Sequence, residues 1–167
     1  MKKILIAALA VFMLVASVAC SSAPAYSDGV AVEQLTADAI GAIGSTEDYI
    51  DGTSNYFAYY FEGKEGAEHI GECRMMFHKQ ETNVSELGVF RVDSAKATDK
   101  VKALVQSYLA EQQDYLRGFA KNYSPEDIKK IDNAAVTVKG CYVIYYILSP
   151  EDEAKALDAI ENALSVK

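Results

Sequence analysis

An α+β domain is what this sequence predicts: an antiparallel β-sheet of about four strands in two hairpins, with helices packed on one face and an N-terminal signal helix ahead of it. Three observations carry that expectation. Two stretches have strand-like apolar patterns on either side of turn residues, one apolar stripe repeats at helical spacing for about five turns, and Ser-Pro-Glu-Asp occurs twice, each time ahead of a helical pattern.

Residues 1–19 read as a signal peptide: Lys2 and Lys3 precede an uncharged apolar run from Ile4 to Ala19. As a helix those 16 residues would cover about 24 Å, short of a hydrocarbon core roughly 30 Å thick. Ser17-Val18-Ala19 then leads into Cys20, followed by Ser21 and Ser22. This order of charge, apolar length, small residues and cysteine resembles the lipobox of bacterial lipoproteins, which implies a diacylglyceryl group on the Cys20 thiol. Two acyl chains would make membrane attachment effectively permanent. Ordinary secretion with cleavage after Ala23-Pro24-Ala25, or an uncleaved anchor helix, are the competing readings. Residues 20–31 are expected to form the lipidated cysteine and a flexible tether rich in Ser, Ala, Pro and Gly, and residues 32–167 one α+β domain.

Val32, Leu35, Ala39, Ile40 and Ile43 predict a first amphipathic helix, with Gly41 and Gly44 near its end. From Thr46 to Glu68 the Tyr- and Phe-rich chain shows no clean period, and only a short helix or strand around Asn55 to Phe61 is expected. Cys73–Lys79 and Glu86–Val92 predict an antiparallel hairpin with a polar loop. Val101, Leu104, Val105, Tyr108, Leu109, Tyr115, Leu116 and Phe119 mark the longest helix. The two Ser-Pro-Glu-Asp copies, at Ser124 and Ser149, combine a capping residue, proline at the first helical position and acids at the positive end of the helix dipole. They read as helix starts and not as a metal or acid–base motif. Between them a second hairpin is expected to turn at Lys139-Gly140, its later strand apolar on both faces and therefore central or well covered.

Several of these residues together resemble a family. The runs "VSELGVFRV" and "FAKNYSPEDIKKIDNAAVTVKGCYVIYYILSPEDEAKAL", with the lipobox ahead of them, look like the bacterial lipoproteins grouped as domain of unknown function 4358. The matching positions are Glu86, Tyr123, Pro125, Gly140, Tyr142 and Val143, and the likeness covers about the last 100 residues. The resemblance implies the α+β fold and an envelope address; it carries no catalytic residue with it.

Candidate chemistry is sparse. His69, Cys73 and His78 lack a third convergent metal ligand, since strand alternation points Cys73 and His78 to opposite faces. Asp51, Thr53, Asn55 and Glu62 have calcium-loop spacing, but Tyr56 stands where the loop needs glycine. No nucleophile elbow of the G-x-S-x-G type is present. Cys73 and Cys141 fit either a disulfide or two buried thiols. Among 11 tyrosines, Tyr59, Tyr60, Tyr142 and Tyr146 are candidates for a surface that stacks on sugars or grips a peptide, against the alternative that they fill the core.

Lys and Arg number 16 against 24 Asp and Glu, a formal net charge of −8, and removal of the leader's two lysines lowers it to −10. Such a body is repelled by nucleic acid and anionic head groups, so no nucleic-acid partner is expected and membrane attachment would rest on lipid. The expected function is a lipid-anchored, extracytoplasmic, non-catalytic module that binds an envelope protein or ligand, without metal or cofactor. The rival is an envelope hydrolase built on carboxylates such as Glu86 and Asp93.

Overall fold

A computed structural model describes residues 26–165. The expected signal peptide, Cys20 and the tether up to Ala25 lie outside the described residues. In chain order the elements are α1 (Val32–Ile43), β1 (Tyr49–Asp51), α2 (Thr53–Tyr60), β2 (Ile70–His78), β3 (Glu86–Val92), α3 (Thr98–Tyr123), α4 (Ile128–Asn133), β4 (Ala135–Lys139), β5 (Tyr142–Ile147) and α5 (Pro150–Leu164). The five strands form one antiparallel sheet in the order β1-β2-β3-β5-β4.

Both expected hairpins are present, joined edge to edge by β3 and β5. Gly140 takes a left-handed φ of 57° at the turn of the second one, where a Cβ would stand 3.0 Å from Tyr26 Cβ. The sheet has one strand more than expected. Tyr49–Asp51 pairs with the end of β2, a three-residue segment too short for alternation to reveal.

The expectation of helices on one face is corrected. Alternation along β2, β3 and β5 sends Met75, Phe90, Val143, Tyr145 and Ile147 into one core with Phe61 and the α3 residues Val101, Val105 and Tyr108. It sends Met76, Leu87, Val89, Tyr142, Ile144 and Tyr146 into a second core with α1 and α5. The central strands β3 and β5 are apolar on both sides, so each face demands its own cover. The result is three layers, with α1 and α5 on one side and α2, α3 and α4 on the other.

The expected tether is also shorter at its described end. Tyr26 bridges Ser165, the Ser27 N–H donates to the Leu164 carbonyl, and the Tyr142 hydroxyl donates to the Val30 carbonyl at 2.6 Å. Residues 26–31 are therefore docked against α5 and the β4–β5 turn.

The two Ser-Pro-Glu-Asp copies diverge. Ser149 caps α5 by accepting from the Asp152 N–H at 3.2 Å, with Pro150 at the first position. Ser124 makes no such cap; a 3-10 turn over Pro125–Asp127 leads into α4, and Asp127 is buried. Its Oδ2 accepts from the Val84 N–H at 3.1 Å and its Oδ1 pairs with Lys130 at 2.8 Å.

Helix α3 has 26 residues, about 39 Å at the helical rise, whereas the seven residues of β3 span about 23 Å. Its last turns consequently overhang the sheet. Tyr115, expected on the buried stripe, is 71% exposed there, and Leu116 and Phe119 are half-buried.

Candidate functional site

The overhang of α3 walls a cleft of about 470 Å³ at the end of the sheet where β3 begins. The opposite wall is the start of α2, with Gly52, Asn55 and Tyr56; the β2–β3 loop from His78 to Ser85 closes one side, and Tyr115, Leu116 and Phe119 face them from α3. Phe77 stacks on Tyr56, ring centroids 4.1 Å apart, and the place it occupies exists because residue 52 has no side chain: a Cβ there would lie 2.5 Å from the Phe77 ring.

Glu86 lines this cleft and is itself only 6% exposed. It is the first residue of β3, and the strand parity that buries Phe90 and Val92 buries Glu86 on the same face. The Tyr108 hydroxyl from α3 donates to Glu86 Oε2 at 3.2 Å and the Tyr145 hydroxyl from β5 to the same oxygen at 3.4 Å. Among the described residues Oε1 has no hydrogen-bond partner, and it is not sealed off from solvent as the fully enclosed, unpartnered polar atoms of the protein are. Burial pushes the Glu86 carboxyl up to about 8 despite the two hydroxyl donors, which act in the other direction. Tyr108 and Tyr145 are driven well above the ordinary phenol value, above all by burial. At neutral pH the cluster is thus a largely protonated acid with two neutral phenols.

A second cleft, of about 270 Å³, opens on the other face between α1 and β1. Its one strong cation, Arg74, is already engaged with Glu33 at 2.7 Å and Asp51 at 3.3 Å, so it offers less unused chemistry than the Glu86 cleft.

The four tyrosines that are candidates for one binding surface do not share it. Tyr142 and Tyr146 are buried under α1 and α5, the first bonded to the Val30 carbonyl and the second to the Glu153 carboxylate. Tyr59 is 79% exposed on α2, beyond the opposite face of the sheet, and Tyr60 packs half-buried on Tyr108. Tyr142 and Tyr146 therefore belong to the core alternative. Glu86 and Asp93, the carboxylates named for the rival hydrolase, are not brought together, because seven residue steps of about 3.3 Å separate them by roughly 23 Å. Asp93 instead meets the His69 ring at 3.3 Å.

Cys73 and Cys141 are free thiols on opposite faces of the sheet, one beside the α2 layer and the other in the α1–α5 core. Asp51 and Thr53, two of the calcium-spaced residues, are spent locally: Asp51 Oδ1 accepts from the Thr53 N–H at 2.8 Å and Thr53 Oγ1 from the Met75 N–H at 2.8 Å. Among the described residues no group of three His, Cys, Asp or Glu side chains is placed to hold a metal ion, and no helix is long and apolar enough to cross a membrane.

Sequence reasoning named Glu86 but missed the residues around it. The readable signal is the acid at the head of "ELGVFRV", which places a carboxyl in register with the apolar positions four and six residues on. Tyr108 and Tyr145 gave no signal beyond their aromatic burial.

The family model described as domain of unknown function DUF4358 matches residues 72–148, from the third residue of β2 to one residue past β5. No curated protein and no solved structure matches the chain.

Proposed function

Taking the chain as the carrier of a DUF4358 domain over residues 72–148, we propose that it is a lipid-anchored envelope protein whose domain binds a ligand in the cleft above Glu86. The observation that carries the binding reading is the buried Glu86 carboxyl, with one oxygen held by two tyrosines and the other without a protein partner at the floor of an aromatic-lined cleft. Concave shape, apolar walls and few placed polar groups are what a small-ligand site requires.

The anchor reading rests on Lys2, Lys3, the apolar run and Cys20, and the docking of residues 26–31 fits it. Tyr26 and Asp28 lie against Gly140 and Cys141, and the Cys141 carbonyl accepts from the Val92 N–H at the far end of β3. The cleft is thus about 20 Å along β3 from the point where the chain would reach its lipid. Six residue steps from Cys20 to Tyr26 span at most about 22 Å, so an anchored domain sits close to the bilayer with its cleft turned away from it.

Two measurements test this. Full-length protein should take up an alkynyl palmitate label and fractionate with membranes, and Cys20→Ser should lose both; equal labelling and equal release of the two would overturn the anchor. A thermal-shift screen of small amines, saccharides and peptides should find ligands whose stabilisation shrinks in Tyr115→Ala. Stabilisation left unchanged by this substitution at the cleft rim would overturn the cleft as the site.

The acid raised to about 8 also supports a second reading, in which Glu86 is the general acid of a hydrolase. Glycoside hydrolysis would need a second carboxylate about 5 to 10 Å away. Asp93 is excluded by distance, and Asp51 is committed to Arg74 and Thr53. Turnover of an envelope glycan or peptide that vanishes in Glu86→Gln would favour this reading over simple binding.

A further inference from the structure

Resting on the cleft as the binding site, we propose that its ligand is an organic cation, with an ammonium group against Oε1 of Glu86 and its hydrocarbon part among Tyr56, Phe77, Tyr115 and Phe119.

The argument begins with the carboxyl. Two hydroxyl donors on Oε2 are the arrangement that steadies an anion, yet no cation of the protein reaches Glu86 among the described residues. A carboxyl so provided with donors, and so deprived of a counter-charge, is completed by a positive group arriving through the cleft. The walls suit the same visitor. Aromatic faces attract ammonium groups through their quadrupoles, more strongly when water is excluded, and four aromatic rings line this cleft together with the aliphatic Leu116. Of the charged residues at its edge, Asp51 is engaged with Arg74, and Glu81 offsets Lys79. Glu86 is therefore the group whose ionisation, on arrival of a cation, puts a negative charge at the floor. The net charge of −8 draws cations toward the protein from a distance and repels anions.

The chemistry of capture balances as an exchange of one proton. Free Glu86 is largely protonated at neutral pH; the ammonium ion binds as it is, the carboxyl gives its proton to solvent, and an ion pair replaces the neutral acid. The titratable groups coupled to Glu86 are Tyr108 from α3, Tyr145 from β5 and Tyr56 from α2. His78 of β2 also lines the cleft, with its ring edge-on to Tyr49 and its Nδ1 accepting from the Gln80 N–H at 3.1 Å. The three tyrosines are shifted upward and uncharged near neutrality, so the proton released where the ammonium group docks is that of Glu86.

Titration calorimetry of the full chain tests this with four probes: benzylamine, cadaverine, benzyl alcohol as an uncharged isostere, and chitotriose. The amines should bind at least about tenfold tighter than benzyl alcohol. Their heats at pH 7 should differ between phosphate and Tris buffers by the amount that release of up to one proton requires. Amine affinity should rise toward tenfold per pH unit up to about pH 8 and then level off. Glu86→Gln, which keeps the shape and the tyrosine contacts, should lose at least about tenfold in amine affinity, and Tyr115→Ala should weaken it severalfold without touching the carboxyl. Equal binding of amine and alcohol, amine binding without proton release, amine binding unchanged in Glu86→Gln, or no amine binding at all each overturns the cation. Chitotriose or benzyl alcohol binding at least as tight as that of the amines, and weakened by Tyr115→Ala, would overturn the cation and leave the cleft as the site.

Discussion

The ring of Tyr145 lies over Gly88, its cross-strand partner, and fills the space where any other residue would carry a Cβ. This close approach brings the Tyr145 hydroxyl to Glu86, two residues back along β3 on the same face. Gly88→Ala should therefore displace the ring instead of merely stiffening the strand. The expected loss is about 2 to 3 kcal/mol in urea unfolding, the upper range for an overpacked core. A second consequence is specific: the bond from Tyr145 to Glu86 breaks, so ligand binding in the cleft falls more than in a comparably destabilised variant of the α1–α5 core such as Leu87→Ala.

Glu86 makes stability depend on pH. Its carboxyl lies near 8 in the folded protein and near the ordinary 4.5 once unfolded, so between these values the folded state holds more protons. Raising the pH through this window removes that advantage, and stability falls with a slope approaching about 1.4 kcal/mol per pH unit from this group alone. Below about pH 4.5 and above about pH 8 its contribution is flat. Urea melts at pH 5, 6, 7, 8 and 9 should show the decline, and Glu86→Gln, which keeps an acceptor for both tyrosines, should flatten it. A wild-type curve and a Glu86→Gln curve of the same slope would mean that Glu86 is ionised in the folded state throughout.

Much of this architecture is legible in the sequence because single strands and helices state their own period. Glu86–Val92 was readable to the residue, α1 and α5 by their stripes, and the β4–β5 turn by Lys139-Gly140. What required the third dimension was the pairing of faces. The six apolar residues of β5 announce a strand that is central or well covered, and β3 says nearly the same, yet the pattern does not say that a second helical layer supplies the cover. The tyrosines failed for a related reason. Alternation separates Tyr142 and Tyr146 from Tyr145 with certainty, but only the tertiary fold decides which set meets the Tyr56–Tyr60 helix. The cleft itself comes from a difference in length between α3 and the strands beneath it, which no local pattern expresses.

Asp127 ties the β2–β3 loop to the start of α4. It is buried, takes the Val84 N–H on one oxygen and Lys130 on the other, and Lys130 also donates to Asn83 at 2.8 Å. Asp127→Ala leaves a buried N–H without its acceptor and a half-enclosed ammonium without its partner, which costs about 2 to 4 kcal/mol. Since Asn83 and Val84 line the cleft, amide exchange of the 79–85 loop should accelerate in this variant more than exchange in β5. Equal protection of the loop in both proteins would show that Asp127 does not hold it.

The two thiols of the domain give a last prediction, one of silence. Burial pushes Cys73 and Cys141 each up to about 11, and Cys141 is in addition only 7% exposed. Two units above the ordinary thiol value leave about a hundredfold less thiolate at pH 8, the species that reacts. In a Cys20→Ser background the folded protein should show the same mass with and without reductant, and alkylation by iodoacetamide should be at least about a hundredfold slower than in urea, with Cys73 modified before Cys141. Their separation on opposite faces of the sheet is the reason oxidation cannot join them while the fold stands. A mass that rises on reduction of the native protein would mean that β2 and the β4–β5 turn approach each other in a way this sheet does not permit.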